Sequence, residues 1–133
     1  MRFLARFEAP AYTALRMVAG FMFAFHGVQK ILGWFSPKAP PALGSQLWFG
    51  GLIELVAGVL IAIGLFTRPA SLVSAGTMAV AYFQFHWKLD IADFRWLPLV
   101  NKGELAALYC FAFLFIATRG PGMAALDRRF RRN

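Results

Sequence analysis

Cysteine is almost missing from this 133-residue chain, and Cys110 stands alone. A single thiol excludes an internal disulfide, a CxxC redox pair and a cysteine-ligated iron–sulfur cluster. No glycine-rich nucleotide fingerprint is present, so any electrons the chain handles must reach it from a partner. Acidic residues are scarce, six against fourteen Lys and Arg, which leaves a formal net charge of +8. In a soluble protein that excess would suggest nucleic acid. Here most of it lies outside the apolar segments, so it reads as membrane topology and lipid contact, with no nucleic-acid partner. No A-x-A site follows the first apolar segment, and no cleavable signal peptide is expected.

Apolar residues are plentiful: 59% of the chain is hydrophobic and 15% charged, with a mean hydropathy of +0.58. That excludes an ordinary soluble domain. It predicts an all-α, four-transmembrane-helix bundle over a single domain of 133 residues, with spans at 12–34, 49–66, 69–87 and 103–118. The second span organises the rest. Its residues are apolar or glycine except Glu54, and as a helix it is ~27 Å long, roughly the hydrocarbon core of a bilayer. A carboxylate at that depth costs on the order of 3 kcal/mol and calls for a partner or a polar cavity. Gly50, Glu54 and Gly58 recur at four-residue spacing and share a face on which a neighbouring helix can come close.

The segments between the spans carry turn signals. Residues 1–10 form a basic amphipathic arm, and Pro37, Pro40, Pro41 and Gly44 make 35–47 a loop. Thr67, Arg68 and Pro69 form a tight connection, 89–102 is a longer loop, and Gly120, Pro121 and Gly122 end the last span before a basic tail. Arg2, Arg6, Arg68, Arg119, Arg128, Arg129, Arg131 and Arg132 fall on one side of the membrane, and Lys38, Lys88, Arg95 and Lys102 on the other. Eight against four places both termini in the cytoplasm of a multi-pass inner-membrane protein.

With that topology His26 lies ~12 Å and Glu54 ~9 Å below the outer boundary, and Lys30 is one turn above His26. Glu104 starts the fourth span. His26, Lys30, Glu54 and Glu104 are therefore the candidate ligand-binding or proton-relay residues, while Arg16, Gln29, Gln84, His86 and Asn101 are candidate structural or lipid contacts. Catalytic residues are not assigned, and no metal site is expected. Each group also has a plainer reading. Glu54 can be an ion pair with Lys30 or Arg16 that orders the bundle. His26 can be a packing residue, Lys30 a snorkelling one and His86 an interfacial one. Asn101 and Glu104 have the spacing of a capping box. Arg16 can meet lipid phosphate from the inner leaflet, and Cys110 can be core packing.

These residues fall in ordered motifs: Arg16 to Gly20 with His26 to Lys30, Gly51 to Gly58 with Gly64 to Pro69, and Asn101 to Tyr109 with Gly120 to Gly122 and Leu126-Asp127. The chain thereby resembles the DoxX family of small four-helix membrane proteins over nearly its whole length. It departs from the pattern at Lys102, where the family usually has glycine, and at the alanines before Leu126. The resemblance implies a bacterial inner-membrane protein linked to thiosulfate–quinone oxidoreduction and to redox complexes that handle thiol stress.

Three functions compete. The first is a redox-linked membrane subunit of a quinone-linked oxidoreductase, with an outer-half pocket for a quinone head group or a small sulfur anion. The second is a non-catalytic anchor or assembly subunit for a redox partner protein. The third is a small transporter, disfavoured because the charges cluster in the outer half. A quinone is the candidate cofactor. Haem is disfavoured because His26 and His86 fall at different depths. Membrane lipids, a redox partner and a second copy of the chain are the expected partners.

Overall fold

The computed structural model describes residues 2–130. Arg131, Arg132 and the Arg2 side chain, counted above toward the basic end, lie outside the described residues. What is described is all helical, without strands. A short α1 (Arg2–Ala5) leads into the long α2 (Glu8–Leu32), followed by α3 (Gln46–Ile63) and α4 (Thr67–Ala81). A π-helical stretch, Tyr82–Trp87, prolongs α4. The loop beyond it carries a 3₁₀ turn at Ala92–Phe94 and the single-turn α5 (Pro98–Asn101). Then come α6 (Glu104–Arg119) and α7 (Leu126–Phe130).

Local chemistry sets the ends. The first long helix begins before the expected span because Pro10 sits in its first turn, where a missing N–H costs little. Gly33 closes it in the left-handed conformation at φ 70°, its N–H donating to the Gln29 carbonyl. Ser45 caps α3: its Oγ accepts the Trp48 N–H at 3.2 Å, which starts the helix ahead of the expected position. Gly64, at φ 72°, ends α3.

By length and composition, α3 is the one helix among the described residues able to cross a membrane unaided. α2 is longer but carries Glu8, Arg16 and Lys30, while α4 and α6 have 15 and 16 residues.

Two helix pairs make the core. α2 lies along α3, and α4 along α6. Glycine decides the first pairing: a Cβ at Gly58 would strike the Ala24 backbone, and one at Gly27 the Leu55 backbone. The close face of α3 is Gly51, Glu54 and Gly58. This corrects the expected set, because Gly50 faces open space. Aromatic rings fill the gap between α2 and α6, where Phe23 meets Phe113 at 4.7 Å and Tyr109 at 5.5 Å between centroids. The outward faces are apolar as well. Val18, Phe21, Val56, Leu72, Val73, Leu108 and Phe111 are all exposed, the reverse of a water-facing surface.

Candidate functional site

The α2–α3 contact brings two of the expected residues together. Lys30 Nζ donates to Glu54 Oε1 at 2.6 Å, with Glu54 only 3% exposed and the lysine side chain 37% exposed. Gly51, one turn before Glu54, leaves room for the Lys30 stem to lie against α3. Arg16 is not the partner.

The other carboxylate oxygen, Glu54 Oε2, is buried without a hydrogen bond, and so is the Tyr109 hydroxyl. Glu54 is near enough to act electrostatically on Tyr109. The half-buried His26 sets its ring edge-on to Tyr109 at 6.2 Å. Buried polar atoms are nearly always bonded, so these two atoms each keep an unused hydrogen-bonding capacity inside the bundle. Tyr109 is the residue sequence reasoning missed. A tyrosine in an apolar helix reads as packing, and its only signal was a hydroxyl needing a partner.

Glu104 does not join this cluster. It is exposed at the start of α6 and makes no hydrogen bond or ion pair to Lys30 or Glu54 among the described residues. The expected capping box is absent too, because Gly103 is the N-cap of α6 and offers no side chain. Asn101 instead accepts the Gly103 N–H at 2.7 Å and donates to the Arg95 carbonyl at 2.9 Å, holding the loop. Gln29 donates to the Phe35 carbonyl at 3.1 Å, and Gln84 pairs with Gln46 across the same end of the bundle. His86 Nδ1 lies 3.3 Å from the Asn101 carbonyl. Cys110 is half-buried. Among the described residues no group of three His, Cys, Asp or Glu side chains is arranged to hold a metal ion.

The opposite end is a polar knot. Arg16 is fully buried, and its guanidinium donates to the carbonyls of Ile61 (2.6 Å), Ala62 (2.8 Å), Met123 (3.2 Å) and Ala124 (2.9 Å). Those contacts turn it inward, away from lipid phosphate. Asp127 accepts the N–H groups of Phe66 at 2.8 Å and Thr67 at 2.9 Å, serving as a remote cap for α4. Arg68 donates to the Ala117 and Thr118 carbonyls at the end of α6, and the Tyr12 hydroxyl donates to Gly120. The C-terminal segment is thus fastened beneath α2, α3 and α4.

A family model described as DoxX matches residues 11–87. An uncharacterized protein of Haemophilus influenzae is 38% identical over 119 residues, covering 87% of each chain. An uncharacterized membrane protein of Mycobacterium tuberculosis is 26% identical over 134 residues, covering 90% of this chain and 81% of its own. No solved structure matches the chain.

Proposed function

The chain belongs to the DoxX family, and from that premise we propose that it is a multi-pass inner-membrane protein whose Glu54–Tyr109 pocket takes a quinone head group in the service of a redox partner. The apolar outward faces of α2, α3, α4 and α6 support four spans with both termini cytoplasmic. α2 crosses with its charges paired, because Arg16 and Lys30 are both turned to partners inside the bundle.

The observation that carries the pocket is the pair of buried, unpartnered atoms, Glu54 Oε2 and the Tyr109 hydroxyl. A quinone or quinol head group suits them: its oxygens accept from Tyr109, and its hydroxyl donates to Glu54. A sulfur anion suits them less well, because Lys30 is already paired with Glu54 and the orphaned carboxylate oxygen repels negative charge. A bound quinone supplies the electron-accepting chemistry, with electrons coming from the partner. The chain's own residues do the rest. Tyr109 orients the head group, Lys30 holds the Glu54 carboxylate in place through their ion pair, and the half-exposed His26, edge-on to Tyr109, is the imidazole at hand for proton exchange.

The anchor reading has its own support in the direct Lys30–Glu54 ion pair, which can serve only to fix helix register. Calorimetric titration of the detergent-solubilised protein with a short-tailed ubiquinone separates the two. Saturable binding is expected, weakened about five- to tenfold in Tyr109→Phe by the loss of one hydrogen bond. Thiosulfate titrated in parallel should give no heat. A folded wild-type protein that binds neither leaves the anchor reading standing.

A further inference from the structure

Two open clefts lie side by side at the end of the bundle that holds α7, away from Glu54. The wider, about 1130 Å³, is walled by Arg68, Arg119, Arg128 and Arg129, with Tyr12 at its back and no carboxylate among its lining residues. The narrower, about 560 Å³, shares Arg68 and Pro121 with it and is otherwise mostly apolar, lined by Leu65, Phe66, Pro69 and Phe130. Phe66 and Phe130 are 63% and 69% exposed. A cationic basin that continues into an apolar trough has the form of an amphiphile.

The charges are not equally available. Arg68 is taken up by the carbonyls at the end of α6. Arg119 sits over the Tyr12 ring at 4.5 Å and pairs with Glu8 at 2.7 Å. Asp127, the one acid of the narrow cleft, has both oxygens on the α4 N-terminus. Arg128 and Arg129 are exposed on the basin wall, and their side chains make no hydrogen bond or ion pair among the described residues. Their guanidinium forks suit the oxygens of a phosphate. The positive-inside assignment puts this end at the leaflet rich in anionic lipid.

We propose that the joined clefts bind one anionic phospholipid, its phosphate against Arg128 and Arg129 and one acyl chain laid along Phe66 and Phe130. The lipid would bridge α7 to the α3–α4 turn and reinforce the fastening already made by Arg16 and Asp127. The proposal rests on the membrane reading and is independent of the quinone pocket.

The full-length protein in neutral detergent is titrated with dioleoylphosphatidylglycerol, dioleoylphosphatidylcholine or inorganic phosphate, and its thermal midpoint is followed. Phosphatidylglycerol is expected to raise the midpoint saturably, and the other two are not. Arg128→Gln/Arg129→Gln should weaken the apparent affinity roughly thirtyfold, from the usual contribution of two basic residues facing an anionic headgroup. Phe130→Ser should weaken it less. Lys38→Gln/Lys88→Gln, at the opposite end, should leave it unchanged. Equal stabilisation by phosphatidylcholine would reduce the effect to bulk solvation, and equal stabilisation by phosphate would make the basin a free-anion site. Either result, or full retention of the shift in the double arginine variant, overturns the proposal. All substituted side chains are exposed, so each variant should fold, and size-exclusion chromatography checks that it does.

Discussion

Arg16 is the residue on which most of the lower end depends. Its guanidinium joins the last turn of α3 to the 121–125 loop through four carbonyls. Hydrogen bonds to a charged donor are worth roughly 1.5–3 kcal/mol each in favourable settings. Arg16→Met leaves those carbonyls without their donor, and a loss of at least about 3 kcal/mol is expected. Arg16→Lys should recover little, because a single ammonium on a shorter stem cannot span both segments. Thermal unfolding in detergent, followed by circular dichroism, reads both, and a lysine variant as stable as wild type would show that charge alone matters. The contrast with Glu54 explains what was legible at this scale. The partner of Glu54 could be narrowed from sequence to Lys30 or Arg16 because charge calls for charge, and the structure picks Lys30, whose estimated depth agrees. Arg16 could not be matched, because its partners are backbone carbonyls, which leave no mark in a sequence. Tyr109 was hidden for a related reason, as a hydroxyl on an aromatic ring in a run of apolar residues.

At the scale of elements, the α2–α3 contact is specified by which glycines face it. Gly50 and Gly58 lie on one stripe by simple helical arithmetic, yet Gly58 is pressed onto Ala24 while Gly50 has nothing near it. Gly58→Ala should therefore destabilise the protein by about 1–3 kcal/mol, as overpacking does. Gly50→Ala should be neutral or stabilise it by up to about 1 kcal/mol through helix propensity. Denaturant titration of the two variants side by side tests the assignment, and equal losses would mean that both glycines face a neighbour. The four long apolar segments and their order were readable from hydropathy and turn residues. The ends were less so. Ser45 starts α3 ahead of Trp48, and α4 gives way to π-helical turns at Tyr82. The rotational setting of each helix was beyond reach, because it depends on the partner's shape, with rings on α6 and backbone on α2.

For the whole molecule, the fold constrains the direction of the proposed topology. Glu8 near the start of α2 pairs with Arg119 at the end of α6, and Asp127 beyond α6 caps α4 just after α3 ends. The beginning of α2, the α3–α4 turn and the C-terminal segment therefore lie at one end of the bundle, which in the proposed topology is one face of the membrane. This internal constraint does not depend on charge counting. In that topology the charge bias favours the cytoplasmic face, since the sequence assigns eight of the twelve Lys and Arg outside the expected spans to that side. A cytoplasmic reporter fused after Asn133 should be active and a periplasmic phosphatase at the same point inactive, while the phosphatase inserted near Leu43 in the opposite loop should be active. Moving the C-terminal fusion alone to the periplasm would require releasing Asp127 from Phe66 and Thr67, so the two fusion sites should report opposite sides in every condition. If the C-terminal phosphatase were active and the Leu43 fusion silent, the molecule would be inverted. The proposed quinone site would then lie on the cytoplasmic side, and the arginine-walled basin would face the leaflet with less anionic lipid. The quinone and phospholipid experiments would stand unchanged, because both are done in detergent, but the redox partner would have to be sought on the other side.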